Sequence, residues 1–362
     1  RAHRPEHRSD KMRGPPPGGP WLPILSIMFL RPATTLSTTA FRSAGCSARQ
    51  LGASRLYSTG SQPKNSNTPL YLTLGGIAGI GAWYGLGGFD GKSKLGQVKA
   101  DGGAALDGNE FRGFKLREVK PYNHDSSVYE FELPKDKTAG LSVCSAILVR
   151  GAEDVLDDKG KPVMRPYTPI NTVDTPGKIN LLIKHYPGGK MTQHLKSLKP
   201  GDELKIKGPL PKFPYKANEF EHITCIAGGS GITPMWQLIQ EISRNPSDKT
   251  KVTLLYSNKT EEDILLRERF DELAKKDDRF QIVYGLDNPP AKWNGGFSGF
   301  ITPDVVKKYV DGPESSKFKI FVCGPPPQMK AVSGMKNSAT DQGQLTGILA
   351  DLGYKAEQVY KF

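Results

Sequence analysis

The sequence predicts two folded domains of different class: a six-stranded antiparallel β-barrel over residues 110–212 and a doubly wound parallel α/β sheet over residues 213–362. Before Pro211, short runs of alternating apolar and polar residues are separated by turn residues, which is the pattern of a barrel. After Phe213, each apolar run of strand length precedes a segment of helical spacing. With 362 residues and 37% hydrophobic side chains, the chain is long enough for two cores.

The barrel strands are predicted from six alternating runs, and one helix interrupts them after Gly188-Gly189. The predicted strands cover residues 111–119, 128–133, 146–150, 163–169, 179–186 and 203–207, and the helix covers residues 191–198. Turn residues between the runs favour short connections, so neighbouring strands are expected to pair antiparallel.

The second domain is predicted from four strand-then-helix pairs. The strands cover residues 223–227, 252–256, 280–284 and 320–322, and the helices cover residues 233–243, 264–275, 303–310 and 329–335. Such alternation builds a parallel sheet, and ligands of these sheets bind outside the carboxyl ends of the strands. The strand-to-helix junctions are therefore the first place to look for a functional site.

The residues before the first domain differ from it in composition. Residues 11–89 contain no Asp or Glu, while Arg recurs among Ser, Thr and Ala, which is typical of a mitochondrial presequence. We predict a targeting or disordered segment over residues 1–68, with translation beginning at Met28. An ordinary disordered arm is the alternative interpretation.

A hydrophobic segment follows the predicted presequence. Residues 69–88 are twenty uncharged residues, and about 20 apolar residues cross the hydrocarbon layer of a membrane as a helix. We predict a single transmembrane anchor there and a Gly-rich linker over residues 89–109. Together with the presequence, this anchor predicts a membrane-anchored mitochondrial protein of the outer membrane, the intermembrane space or both.

The charge of the chain argues against nucleic-acid binding. The net charge is +13, but residues 1–89 carry +8 of it, and the remaining 273 residues hold 40 basic and 35 acidic side chains. A phosphate-backbone binder needs clustered positive charge on its folded surface. The four cysteines, Cys46, Cys144, Cys225 and Cys323, have neither zinc nor iron–sulfur spacing, so no metal site is predicted.

Two motifs in the predicted barrel are suited to a flavin. In Arg165-Pro166-Tyr167-Thr168, the guanidinium can face a diphosphate, while the Tyr ring and the Thr hydroxyl can meet a planar heterocycle. Gly188-Gly189-Lys190-Met191-Thr192 opens a helix whose free N–H groups can hold a phosphate. Taken singly, the first motif could be an edge strand with two prolines and the second a simple turn.

Two motifs in the second domain are suited to a nicotinamide dinucleotide. Ala227-Gly228-Gly229-Ser230-Gly231-Ile232-Thr233 is a glycine-rich phosphate loop at a helix start, although it lacks the G-x-G-x-x-G pattern. Cys323-Gly324-Pro325 ends the last predicted strand, where a thiol can lie against a nicotinamide ring without acting as a nucleophile. A tight turn without ligand and a buried structural cysteine are the alternatives.

Five motifs in this order carry a family resemblance: RPYTPI, GGKMTQHL, AGGSGITPMWQ, SNKTEEDILL and CGPPP. The chain resembles the NADH-cytochrome b5 reductases of the ferredoxin-reductase type over residues 110–362, which is about 70% of its length. With the presequence and the anchor, it is similar to the fungal mitochondrial form. The resemblance implies an FAD-binding barrel and an NADH-binding parallel-sheet domain.

The resemblance also implies an activity and a set of site residues. NADH would pass a hydride to FAD, and the reduced flavin would give single electrons to a haem protein, cytochrome b5, with the enzyme acting as a monomer. Thr168, Thr233 and Cys323 would be catalytic. The residues implied to bind the cofactors are Arg165, Pro166, Tyr167, Thr168, Ile183, Lys184, Tyr186, Gly189, Lys190, Met191, Thr192, Gly228, Gly229, Gly231, Thr233, Asp287, Cys323, Gly324 and Pro325.

Asp287 has a separate implied role, which is to repel a 2′-phosphate and so favour NADH over NADPH. Two alternatives to the whole assignment stay open at this point. One is a reductase for another acceptor, such as a quinone or an oxygenase. The other is a membrane-tethered scaffold that keeps the fold without catalysis.

Overall fold

The computed structural model describes residues 103–362. The predicted targeting segment 1–68, the predicted anchor 69–88 and residues 89–102 of the predicted linker lie outside the described residues. Among helices in the described range, none has the length and apolar character needed to span a membrane.

The first part of the described chain is an antiparallel six-stranded barrel sheet, as predicted. Its strands are β1 (Arg112–Pro121), β2 (Ser126–Glu132), β3 (Ser145–Arg150), β4 (Met164–Tyr167), β5 (Lys178–Lys184) and β6 (Glu203–Pro211). A helix, α1 (Lys190–Ser197), connects β5 to β6. The strand order is β4-β3-β6-β1-β2-β5.

Strand β1 holds the barrel together because its two halves pair with different partners. Residues 112–115 pair with β6, and residues 116–121 pair with β2. The two ends of the sheet also approach each other, since the N–H of Ile170 donates to the carbonyl of Asn180 over 2.9 Å. Alternate residues of the strands, such as Tyr129 and Phe131, fill the interior and are fully buried.

The second part is a parallel sheet with helices between its strands, as predicted, but it has six strands where four were predicted. Its strands are β7 (His222–Gly228), β8 (Lys251–Asn258), β9 (Phe280–Leu286), β10 (Gly296–Ser298), β11 (Phe318–Cys323) and β12 (Val359–Lys361). Its helices are α2 (Ile232–Arg244), α3 (Arg267–Lys276), α4 (Pro303–Tyr309), α5 (Pro326–Val332) and α6 (Gly347–Asp351). Three short 3₁₀ turns cover Gly229–Gly231, Glu261–Asp263 and Ala356–Gln358.

The order of this sheet, β10-β9-β8-β7-β11-β12, puts the ligand crevice in a definite place. From β7 the chain adds β8, β9 and β10 on one side, and then crosses to add β11 on the other side. The order therefore reverses between β7 and β11, and ligands of open parallel sheets bind at such a point, beyond the carboxyl ends.

Two predicted helices differ from the structure in position. The helix predicted over residues 264–275 begins only at Arg267, because Leu266 has a positive φ of 60° and follows the turn Glu261–Asp263. The helix predicted over residues 329–335 covers Pro326–Val332, with prolines in its first turn, where the missing N–H groups cost no hydrogen bond. Strands β10 and β12 and helix α6 have three to five residues each, too few for a detectable period.

Helix α2 joins the two domains through its buried surface. The Nε1–H of Trp236 donates to the carbonyl of Ile170 over 2.9 Å, and Gln237 Oε1 accepts from the N–H of Ser145 over 2.8 Å. Ile170 and Leu182 of the barrel belong to the same apolar cluster as this helix. The barrel and the parallel sheet therefore share a core.

We expect Trp236→Phe to destabilise the protein by about 1–3 kcal/mol, because it leaves the buried carbonyl of Ile170 without its donor and opens a cavity. Urea unfolding of the two proteins measures this difference. Trp293→Phe is the matched control, since Trp293 is only half-buried and its bond to the Phe297 carbonyl is longer, at 3.3 Å. Equal effects of the two changes would contradict the joining role of Trp236.

Candidate active site

A cavity of about 660 Å³ opens between the two domains at the carboxyl ends of β7 and β11. Most of the predicted site residues line it. From the barrel these are Arg165, Pro166, Tyr167, Thr168, Lys184, Tyr186, Gly189, Lys190, Met191 and Thr192. From the parallel-sheet domain they are Gly231, Thr233, Cys323, Gly324 and Pro325. Residues separated by up to 160 positions in the chain therefore meet around one space.

Four predicted residues do not line the cavity. The side chain of Ile183 is buried in the barrel core, because strand alternation turns it away from the face that Leu182 and Lys184 present to the cavity. Gly228 and Gly229 lie just behind the cavity wall, where β7 ends and the 3₁₀ turn begins. Asp287 follows β9, two strands away from β7.

The start of α1 forms an anion-binding site on the barrel side of the cavity. The helix begins after Gly189 without a side-chain cap, so the N–H groups of its first turn are available to a ligand. A Cβ at Gly189 would lie 2.6 Å from the Thr192 hydroxyl, so a larger residue there would force that side chain to move. Lys190 adds positive charge, and its ion pair with Asp158 at 2.9 Å is exposed and therefore weak. A diphosphate fits this arrangement.

Two tyrosines place aromatic rings beside this anion-binding site. Burial raises the pKa of Tyr167 to about 12, so its phenol is neutral at physiological pH. Tyr186 is exposed, and its hydroxyl lies 3.0 Å from Ser230 Oγ on the glycine-rich turn of the other domain. This contact bridges the cavity, and the rings offer flat apolar faces to a heterocycle.

The glycine-rich turn brings Thr233 and Cys323 to the same wall. A Cβ at Gly231 would collide with the carbonyl of Cys323 and with the backbone of Gly324. The missing side chain therefore lets the first turn of α2 pack directly on the end of β11. Helix α2 starts without a side-chain cap, so its first turn is a second site that can bind a phosphate.

The thiol of Cys323 is a neutral group in this wall. The surrounding protein raises its pKa to about 12, although the charge of nearby Lys336 acts in the opposite direction. Because the thiolate is the reactive form, a protonated thiol is better suited to contact a ligand than to act as a nucleophile. Burial also raises the pKa of Cys144 and of Cys225, and all three cysteines are free.

Lys184 connects the domains through charge. Its ammonium lies 2.5 Å from Asp125 in the barrel and 2.9 Å from Asp263 in the parallel-sheet domain. Burial alone would raise the pKa of Asp263, but the hydrogen bond and the charge of Lys184 hold it below its ordinary value. His124, Asp125 and Asp263 have metal-ligating atoms within 4.8 Å of one another, and both carboxylates are already paired with the Lys184 ammonium.

Ten further residues line the cavity that were not among the predicted site residues, although three of them lie inside the quoted motifs. They are Ala146, Leu182, Lys212, Ser230, Pro234, Pro326, Lys336, Ser338, Ala339 and Phe362. The three from the loop 333–346 are held at the cavity by Lys361, whose buried ammonium donates to the carbonyls of Ser333, Met335 and Gln344. A buried lysine that binds backbone carbonyls of a distant loop has no recognisable pattern in a single sequence. Ser230, in contrast, lies inside the glycine-rich motif and could have been predicted from it.

We expect Lys184→Met to destabilise the protein by about 1–3 kcal/mol at pH 7 and by less at pH 4. In the natural protein the pKa of Asp263 is depressed, so its contribution to stability is present above about pH 4 and is lost as the pH falls through the folded-state pKa. Without Lys184, burial raises that pKa, so the ionised carboxylate opposes folding as the pH rises toward 7.

Urea unfolding at the two pH values measures this dependence. Lys178→Met is the matched control on the same strand, because its pair with Glu130 at 3.1 Å involves a more exposed lysine and is expected to contribute under about 1 kcal/mol. Destabilisation by Lys184→Met that is equal at pH 4 and pH 7 would rule out the charge pairing as its cause.

Two family models match the chain. One is described as "Oxidoreductase FAD-binding domain" and matches residues 113–215. The other is described as "Oxidoreductase NAD-binding domain" and matches residues 225–334. These ranges contain most of the residues that line the cavity on its two sides, and the anion-binding helix starts and aromatic faces there fit both dinucleotides.

Relatives and solved structures agree with the family models. The NADH-cytochrome b5 reductase 2 of Mycosarcoma maydis is 58% identical over 353 residues, covering 92% of this chain and 100% of the relative. That of Botryotinia fuckeliana is 44% identical, covering 82% of this chain and 92% of the relative. The crystal structure of the cytochrome b5 reductase domain of Ulva prolifera nitrate reductase is 31% identical with a TM-score of 0.62, covering 72% of this chain and 99% of that one.

Identity of this extent over nearly full lengths is decisive for the family, and the two domain matches give the cofactors. This chain belongs to the NADH-cytochrome b5 reductase family and is an oxidoreductase with an FAD-binding and an NAD-binding domain.

Proposed function

We propose that this chain oxidises NADH by hydride transfer to FAD and then passes single electrons to a haem protein, cytochrome b5. The observation that carries the proposal is that Tyr167, Thr168, Thr233 and Cys323, from three separate motifs in two domains, line one cavity. When bound, FAD supplies the conversion of a two-electron donor into one-electron steps, which protein side chains do not provide.

The barrel residues bind and orient the flavin in this proposal. The N–H groups at the start of α1, together with Lys190 and the Arg165 guanidinium, hold the diphosphate. The neutral phenol of Tyr167 and the hydroxyl of Thr168 contact the ring system. Both groups lie on or just beyond β4, whose pairing with β3 fixes their position.

The parallel-sheet residues receive NADH. The first turn of α2, with Gly228, Gly229 and Gly231 before it, binds phosphate, while Thr233 and the neutral thiol of Cys323 pack against the nicotinamide. Holding two rings in a fixed stack is the main contribution that such a site makes to hydride transfer. Burial raises the pKa of Asp287, with Lys259 acting against it, and a carboxylate there disfavours a 2′-phosphate.

An absorption spectrum with anaerobic NADH titration tests the proposal. We expect a yellow protein whose flavin absorbance bleaches with one equivalent of NADH, and then recovers when oxidised cytochrome b5 is added. NADPH is the control donor and should reduce the flavin more slowly. A colourless protein that does not react with NADH would support the alternative of a non-catalytic scaffold.

We expect the rate of cytochrome b5 reduction to fall as ionic strength rises, because exposed cations at the cavity mouth, including Lys190, attract an acidic partner. Steady-state kcat/KM between about 20 and 300 mM salt measures the effect. A neutral quinone is the control acceptor, and its rate should be insensitive to salt. A salt-independent rate with cytochrome b5 would contradict this steering.

We further propose that residues 69–88 anchor a monomeric enzyme in a mitochondrial membrane, and that the enzyme is located at the outer membrane, in the intermembrane space or both. The support is the acid-free, Arg-containing composition of residues 11–68 and the twenty uncharged residues that follow. Alkaline extraction of isolated mitochondria tests the anchor: full-length protein should stay in the membrane pellet, and protein lacking residues 69–88 should be released.

A further inference from the structure

Two lysines in the cavity wall lack an anionic partner. Lys212, just after β6, and Lys336, in the loop 333–346, both line the cavity and are half-buried. Within residues 103–362, neither ammonium forms an ion pair or donates a hydrogen bond. The other two lysines that line the cavity, Lys184 and Lys190, both have ion pairs. The positive charge of Lys212 and Lys336 is therefore free to act on a ligand.

Tyr360 holds these two lysines on the same side of the cavity. Its hydroxyl donates to the carbonyl of Lys212 over 2.7 Å, and the Lys336 ammonium lies 5.8 Å from the centre of its ring. Burial lowers the pKa of both lysines, and the charges of Lys212 and Lys361 lower that of Lys336 further. Lys212 and Lys336 therefore form one positively charged patch, which we call the lysine pair.

The lysine pair lies beside the wall that receives the nicotinamide in the proposed function. The charge of Lys336 reaches the thiol of Cys323, where it acts to lower the pKa of that group. The residue after β12, Phe362, lines the same part of the cavity, and its N–H donates to the carbonyl of Val322 over 3.0 Å. A ring packed against Cys323 therefore lies within the electric field of the lysine pair.

The FAD diphosphate is bound elsewhere in the proposed function. Its site at the start of α1 follows β5, whereas Lys212 follows β6. In the barrel, β3 lies between β6 and β4, and β5 approaches β4 from the other side through the bond between Ile170 and Asn180. The α1 site and the lysine pair therefore lie on opposite sides of β4, so this diphosphate does not account for the unpaired charge.

Hydride transfer changes the charge of the nicotinamide ring. The ring of NADH is neutral, and when its C4 gives a hydride with both electrons to bound FAD, the ring becomes a pyridinium cation. Two ammonium groups repel that cation and leave the neutral ring almost unaffected. Unpaired positive charge beside Cys323 therefore distinguishes the product of the proposed reaction from its substrate.

We propose that Lys212 and Lys336 are specificity-determining residues that weaken the binding of NAD⁺ relative to NADH and so favour release of the product. They need no contact with the ring, because repulsion between charges acts over several Å. The rest of the dinucleotide is identical in the two forms, so an interaction with its phosphates would change both affinities equally. The inference rests on the proposed function, which puts the nicotinamide against Cys323.

Calorimetric titration of the FAD-loaded protein with two dinucleotides tests the inference. One is NAD⁺, and the other is 1,4,5,6-tetrahydro-NAD, whose ring is neutral and gives no hydride. In Lys336→Met we expect the Kd for NAD⁺ to fall by about 3- to 10-fold, because one like charge is removed, and the Kd for the tetrahydro form to stay unchanged. Lys212→Met should act in the same direction, and Lys336→Arg, which keeps the charge, should retain the natural values.

Lys330→Met is the matched control, since it removes the same charge from an exposed position outside the cavity lining. Product inhibition gives a second readout: the Ki of NAD⁺ against NADH should fall by the same factor in Lys336→Met. This difference from the natural protein should shrink at about 1 M salt, where the screening length is about 3 Å.

Equal changes in both Kd values would show that the lysine pair binds the phosphates and would overturn the inference. Unchanged Kd values together with a lower kcat/KM for cytochrome b5 would assign the pair to acceptor docking, with the same consequence. A natural protein whose flavin is not reduced by NADH would instead refute the proposed function. A protein that NADH reduces, but whose variants keep the natural ratio of the two Kd values, would refute this inference alone.

Discussion

The geometry of the site depends on the burial of helix α2 against both domains. Its first turn packs on the backbone of Cys323. In its next turn, Trp236 donates a hydrogen bond to the barrel and Gln237 accepts a hydrogen bond from it. Because side chains in a close-packed core cannot slide without losing contacts, this helix sets the distance between the two walls of the cavity. Thr233, which lies on it, is thereby held opposite the barrel motif.

A second, polar contact controls the relative orientation of the domains at a different place. The hairpin between β1 and β2 meets the turn after β8, where the Asn123 amide donates to the carbonyl of Glu262 over 2.8 Å and the Tyr122 hydroxyl accepts from the N–H of Leu266 over 2.7 Å. Lys184 adds its two ion pairs nearby. The apolar contact supplies most of the free energy, and the directional bonds select one orientation.

Much of this architecture could be predicted from the sequence because it depends on periodicity and on glycine. The two sheets follow from alternating and strand–helix patterns, and the site motifs lie where the chain leaves a strand. Gly231 illustrates the reason: only a residue without a side chain fits against Cys323, so the steric demand of the site is visible in the chain itself.

Other features depend on contacts between distant residues and leave no local pattern. Lys361 looks like a surface lysine in the sequence, yet it is 2% exposed and its ammonium holds three carbonyls of the loop 333–346. Strand β12 has three residues and forms only because β11 offers it an edge. The late start of α3 at Arg267 follows from the left-handed conformation of Leu266, which neither its type nor its neighbours predict.

The protonated state of Cys323 affects the durability of the protein as well as its chemistry. Peroxide attacks thiolates, and a thiol with a pKa of about 12 is almost entirely protonated near neutral pH. Oxidation to sulfenic acid should therefore be slow at this position. A sulfur atom can therefore form part of the cavity wall with little tendency to be oxidised.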